Sequence, residues 1–155
     1  MPFGPPRTPG ASGFTMQLEY RWTELLSGRE ATAPTVVWAR LTDGSPLTPA
    51  GVSFLADMVP AAVIRAAGVA GGEMGPAGAT SLDNSLRFAV VEPETEWILL
   101  EMQGHMATAG SGHGSVLVWT PGGTLIAVGG QTANMMHAAG PGGAGRLPGW
   151  GAAGS

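Results

Sequence analysis

The sequence predicts an α+β domain, with one long helix laid against a curved antiparallel sheet. Two observations predict it. Residues 45–66 (SPLTPAGVSFLADMVPAAVIRA) place Val52, Leu55, Ala56, Val59, Ala62, Val63 and Ala66 at steps of three and four. That spacing puts a single apolar stripe along a helix. The other long apolar segments alternate with period two and are rich in β-branched and aromatic residues, the pattern of half-buried strands.

The elements follow in order. Residues 1–13 (MPFGPPRTPGASG) are rich in proline and glycine and read as a flexible arm or linker. Met16–Trp22 alternates as a first strand, residues 23–35 are loop-like, and Thr35–Leu41 (TVVWARL) is a second strand. Asp43-Gly44 turns the chain into the helix, where Thr48 is placed to cap and Pro49 suits the first helical position. Pro60, which brings no amide hydrogen to the ladder, is expected to kink the second half. Residues 68–78 hold five glycines and a proline and read as a loop. Four strands are then expected, at Ala79–Val91, Glu96–Met106, Gly112–Thr120 and Thr124–Met136. Pro121-Gly122-Gly123 between the last two is a hairpin turn, which makes them antiparallel neighbours. From residue 138 on, the glycine-rich tail has little to bury and is expected to be disordered.

One long apolar helix wrapped by a curved antiparallel sheet is the hot-dog architecture. A ferredoxin-like chain would show two helices, and this one shows one. The folded domain is expected over residues 15–137, with 1–14 as the arm and 138–155 as the tail.

Composition narrows the function. At 155 residues and 44% apolar content, the chain supports one domain with a real core. A net charge of −4, with every basic residue an arginine, leaves no basic patch for nucleic acid. The absence of cysteine excludes thiolate metal sites and a cysteine nucleophile. His105, His113 and His137 fall on different elements without ligand spacing, so neither a metal nor another cofactor is expected. No apolar run approaches the roughly 18 residues that span a bilayer. A cytoplasmic protein without a membrane partner is the expectation.

On the apolar helix stands one carboxylate, Asp57. A carboxylate on a helix built for burial is costly unless it is paired, neutral or working. Asp57 is therefore the first candidate site residue.

Several motifs carry a resemblance to a known family. SLDNSLRF (Ser81–Phe88), then EWILLE (Glu96–Glu101), resembles the second half of acyl-CoA thioesterase II. ATAGSGHGSVLVWTPGGTLIAVGGQ (Ala107–Gln131) is similar to that family's glycine-rich hairpin and closing strand. WARLTDGSPLTPAGVSFLADM (Trp38–Met58) is similar to its strand and central helix, whose aspartate falls at Asp57. The resemblance covers residues 15–136. It implies a hot-dog thioesterase that hydrolyses an acyl-CoA to free acid and CoA. It places the catalytic constellation at Asp57, Ser81 and Gln131, which bind and orient the attacking water. Thr80, Met58, Gly110 and His113 are the matching candidates for substrate contact, Thr80 being also the alternative to Ser81 by a one-residue slip. A thioester carbon is already electrophilic, so a positioned water and a proton acceptor suffice.

Asn84 stands where the family has histidine, and His113 where its glycine-rich turn has arginine. The family joins two hot-dog halves in a chain of nearly twice this length, and residues 1–13 look like their linker. Pairing with a second copy or a second hot-dog domain is therefore expected. The competing expectation is a non-catalytic hot-dog module that binds acyl groups or supports a partner domain. A hydratase is disfavoured, because no histidine lies on the helix near Asp57 to share the proton transfer at carbon.

Overall fold

The computed structural model describes residues 17–23, 33–71, 78–91, 93–108 and 110–136. The predicted arm and the tail lie outside them. The elements run β1 (Leu18–Trp22), β2 (Thr35–Leu41), α1 (Pro49–Leu55), α2 (Val59–Gly71), β3 (Gly78–Ser81), β4 (Ser85–Phe88), β5 (Ile98–Thr108), β6 (Ser111–Trp119) and β7 (Leu125–Met136). The strands form one antiparallel sheet in the order β1-β2-β5-β6-β7-β3, with β4 also paired to β7. The helices pack against its inner face. This is the predicted hot-dog fold, a curved antiparallel sheet around a central helical segment.

The helical segment differs from the expectation in one respect. It is not a single helix kinked at Pro60 but two helices separated by Ala56, Asp57 and Met58. The physical reason is still Pro60. In a continuous helix its ring would collide with the carbonyl four residues back, so the chain breaks before it. Pro60 then sits in the first turn of α2, where a missing amide hydrogen costs nothing. The restart is tight, with Ala61 N donating to Met58 O at 2.9 Å. α1 begins as predicted, Thr48 accepting from Gly51 N and Pro49 opening the helix.

The strand expected over 79–91 is likewise two short strands, interrupted at residues 82–84, so five strands follow the helices where four were expected. Leu82 is 65% exposed in that interruption. The predicted loop over 68–78 begins late, because α2 continues to Gly71.

The core is continuous between helix and sheet. Val52, Leu55, Val59 and Val63 are buried against Val37, Ile98, Leu100, Met102, Val116, Val118 and Ile126. Each such side chain stabilises the fold by about 1.5–3 kcal/mol. Two glycines in β6 let α2 lie close to the sheet. A Cβ at Gly114 would stand 2.6 Å from Gln103 O and 2.8 Å from Val59 Cγ1. One at Gly112 would collide with Val63. These glycines make room for the helix. The β5–β6 turn itself falls at Gly110, whose φ of 91° favours glycine.

Candidate active site

Asp57 occupies the middle of the helix break and is exposed, so the cost of burial expected from sequence does not arise. The break also frees the carbonyl of Leu55, and Tyr20 from β1 donates its hydroxyl to that oxygen at 3.3 Å. Burial, and then the negative charge of Asp57, push the Tyr20 phenol well above its ordinary range. Tyr20 therefore remains a neutral donor.

Three side chains, from β3, the interruption after it and β7, meet Asp57, all on Oδ1. Ser81 Oγ, at the end of β3, donates at 3.4 Å. Asn84 Nδ2, from the interruption between β3 and β4, donates at 3.4 Å. Gln131 Nε2, in the middle of β7, donates to the same oxygen and also to Ser81 Oγ at 2.7 Å. Asp57 and Gln131 are 74 residues apart in sequence.

Alternation within the strands decides which neighbours take part. Gln131 pairs with Gly114 across β6–β7, and Ser81 pairs with Ala133 across β3–β7. Gly114 and Ala133 are buried on the face covered by the helices, and Gln131 is itself 0% exposed there. The absence of a side chain at Gly114 brings Val59, the first residue of α2, against the strand beside Gln131. The glycine thus places the helix break within reach of the glutamine.

The interruption at residues 82–84 is clasped to β7 at the residue after Gln131. Leu82 N donates to Thr132 O at 2.9 Å, and Thr132 N donates to Asp83 Oδ1 at 2.7 Å. That amide bond holds the Asp83 carboxyl below its ordinary range. Asp83 is thus a structural clasp.

Sequence reasoning named Asp57, Ser81 and Gln131, and the structure brings these three together. Met58 adjoins Asp57 in the break and packs partly against the core. Thr80, one residue from Ser81, is on the opposite face of β3 and does not reach Asp57. His113 is on the outer face too, paired with Thr132 and 3.3 Å from its hydroxyl, with its ring stacked beside His105 at 6.3 Å. Gly110 sits at the hairpin turn, its carbonyl bonded by Met135 N. Asn84 and Tyr20 were not singled out as site residues. Asn84 carried a signal, its place three residues beyond Ser81 in the same motif. Tyr20 carried none beyond strand periodicity. Among the described residues no group of three or more histidine, aspartate or glutamate side chains could hold a metal ion.

Comparison with known proteins places the chain in a family and a fold. Residues 2–135 match the acyl-CoA thioesterase C-terminal domain family. No curated protein matches the chain. A structure from Novosphingobium aromaticivorans, assigned as a thioesterase, is 30% identical, with a TM-score of 0.62 over 76% of this chain and 42% of that one. A hot-dog protein from Alicyclobacillus acidocaldarius is 20% identical, with a TM-score of 0.65 over 87% of this chain and 54% of that one. The acyl-CoA thioesterase II TesB2 of Mycobacterium marinum is 21% identical, with a TM-score of 0.60 over 88% of this chain and 56% of that one. The last two likenesses establish the fold. The chain spans about half the length of these structures.

Proposed function

The chain belongs to the acyl-CoA thioesterase C-terminal domain family, and we propose that it hydrolyses the thioester of an acyl-CoA to free acid and CoA. The observation that carries this reading is the convergence of Ser81 and Gln131 on the exposed Asp57 carboxylate. A carboxylate is a competent acceptor for the proton of an attacking water. The donors of the Ser81 hydroxyl and the Gln131 amide hold the carboxylate in register, and the hydroxyl oxygen keeps a lone pair that can accept from that water.

In the proposed step, water oxygen bonds to the thioester carbon as its proton passes to Asp57. The tetrahedral intermediate then collapses by breaking the carbon–sulfur bond, and the proton ends on the departing CoA sulfur. Met58, beside Asp57 and only partly packed, is suited to line an acyl chain, since a thioether adapts to irregular apolar shapes. The reaction uses no metal or organic cofactor, and a soluble acyl-CoA substrate fits a cytoplasmic enzyme of lipid metabolism.

We also propose that the site is completed by a second hot-dog unit, either another copy of this chain or a second domain. Edge strand β3, which carries Ser81, is paired on one side only among the described residues. An unpaired strand edge is a template for a further strand. Three of the similar structures are about twice as long as the region they match.

The test is a thiol-release assay over a panel of acyl-CoA chain lengths, run beside light scattering on the same sample. Turnover by a dimer is expected. Binding of acyl-CoA without thiol release would support the non-catalytic module instead, and an active monomer near 15.6 kDa would contradict the pairing.

A further inference from the structure

We propose that Asn84 is a positioning residue, a third donor that fixes one oxygen of the Asp57 carboxylate. This rests on the reading of Asp57 as the proton acceptor. Three hydrogen bonds, from Ser81 Oγ, Asn84 Nδ2 and Gln131 Nε2, end on the same atom, Oδ1. They arrive from the end of β3, the β3–β4 interruption and the middle of β7. A carboxylate held at one oxygen from three directions cannot rotate freely about its Cβ–Cγ bond. Its second oxygen, Oδ2, is then presented in a fixed direction for the attacking water, the kind of orientation on which catalysis by proximity depends.

Asn84 is well placed for this role because its backbone is held without its side chain. The clasp on Thr132 is made by Leu82 N and the Asp83 carboxylate, the two residues that precede it. Thr132 in turn follows Gln131 directly in β7. The clasp therefore registers Asn84 and Gln131 against each other, so that two of the three donors to Asp57 move as one unit. Asn84 is itself exposed and makes no contribution to the buried core. Loss of its amide should disturb Asp57 far more than it disturbs the fold.

The bond also accounts for the residue type. Asparagine offers two amide hydrogens and no charge. It can hold an ionised carboxylate without neutralising it, leaving the base able to take a proton. An aspartate at this position would set two carboxylates side by side and oppose ionisation of both.

The experiment combines two readouts on the full chain. The first is the side-chain amide signal of Asn84 in a nitrogen–proton correlation spectrum, compared between the parent and Asp57→Ala. The second is steady-state hydrolysis of acyl-CoA by the parent, Asn84→Ala and Asn84→His. Removal of the Asp57 carboxylate is expected to move the Asn84 amide signal. Asn84→Ala is expected to lower kcat about tenfold, the size of one charge-assisted hydrogen bond, while KM and the melting temperature stay near the parent's. Asn84→His, which restores an N–H donor, is expected to recover most of the loss. An Asn84 signal unmoved by Asp57→Ala overturns the proposal, as does a parental kcat in Asn84→Ala. A parent that releases thiol from no acyl-CoA overturns the hydrolase reading, and the amide signal then decides the Asn84–Asp57 contact on its own.

Discussion

Gln131, wholly buried in the middle of β7, donates its side-chain amide to Asp57, which stands exposed in the break between two helices. A buried polar residue thus reaches out to hold a surface carboxylate. Its own carbonyl oxygen, Oε1, has no hydrogen-bond partner among the described residues. An unsatisfied buried acceptor costs about 1–3 kcal/mol.

Gln131→Met is expected to keep the length of the side chain while removing both the donor and the orphan acceptor. Thermal stability should hold or rise slightly. Turnover should fall by about 10²-fold, the usual scale for a group that positions a reacting water and its base. Calorimetry and thiol release on the same preparation check the two halves of this expectation.

Tyr20→Phe removes the hydroxyl that caps the Leu55 carbonyl and leaves the ring packed. A loss of about 1 kcal/mol is expected in denaturant melts. The phenol is raised by burial and then by Asp57, so its stabilising contribution is complete below the free tyrosine value and fades as pH rises through the folded one. The gap between parent and Tyr20→Phe should therefore narrow above about pH 10. A gap independent of alkaline pH would show that the hydroxyl is not what stabilises the break.

Gly114→Ala tests the placement of the helix break. The added Cβ meets a backbone oxygen of β5 and Val59 at the start of α2, so the helix must move outward. A destabilisation of about 1–3 kcal/mol is expected from overpacking, and activity should fall as Asp57 leaves Gln131. Gly110→Ala, at a turn with open space around it but a positive φ, should cost stability without that loss of activity.

The sheet was legible because its strands alternate cleanly and the Pro121-Gly122-Gly123 turn pairs the last two. The apolar stripe located the helical segment equally well. The break in it was harder to place, since Pro60 was known to disrupt a helix, but whether it kinks the middle or opens a new first turn depends on what packs around it. The reach of Gly114 was hidden for the same reason. A glycine in a strand signals close approach, while the identity of the approaching element, Val59 of α2, is a tertiary fact. Of the candidate site, Asp57 stood out as the one carboxylate on the apolar helix, and the family resemblance implied Ser81 and Gln131 beside it. Thr80 and His113 were offered for substrate contact, and the strand register turns both to the outer face. Asn84 lay inside the same motif but bonds across to another element, and periodicity is blind to such contacts.

The role of Asp57 is tested most directly by kinetics of Asp57→Asn. An asparagine keeps the size of the side chain and removes the proton acceptor, so a folded protein is expected with kcat for acyl-CoA reduced by about 10²-fold or more and KM changed far less. Combined with Gln131→Met, the double variant should be scarcely worse than either single one, because the two residues act as a unit. The contrary result is an Asp57→Asn protein whose stability changes while its turnover per folded molecule stays at the parental level. That pattern would make Asp57 a structural residue of the helix break and leave the hydrolase without its base.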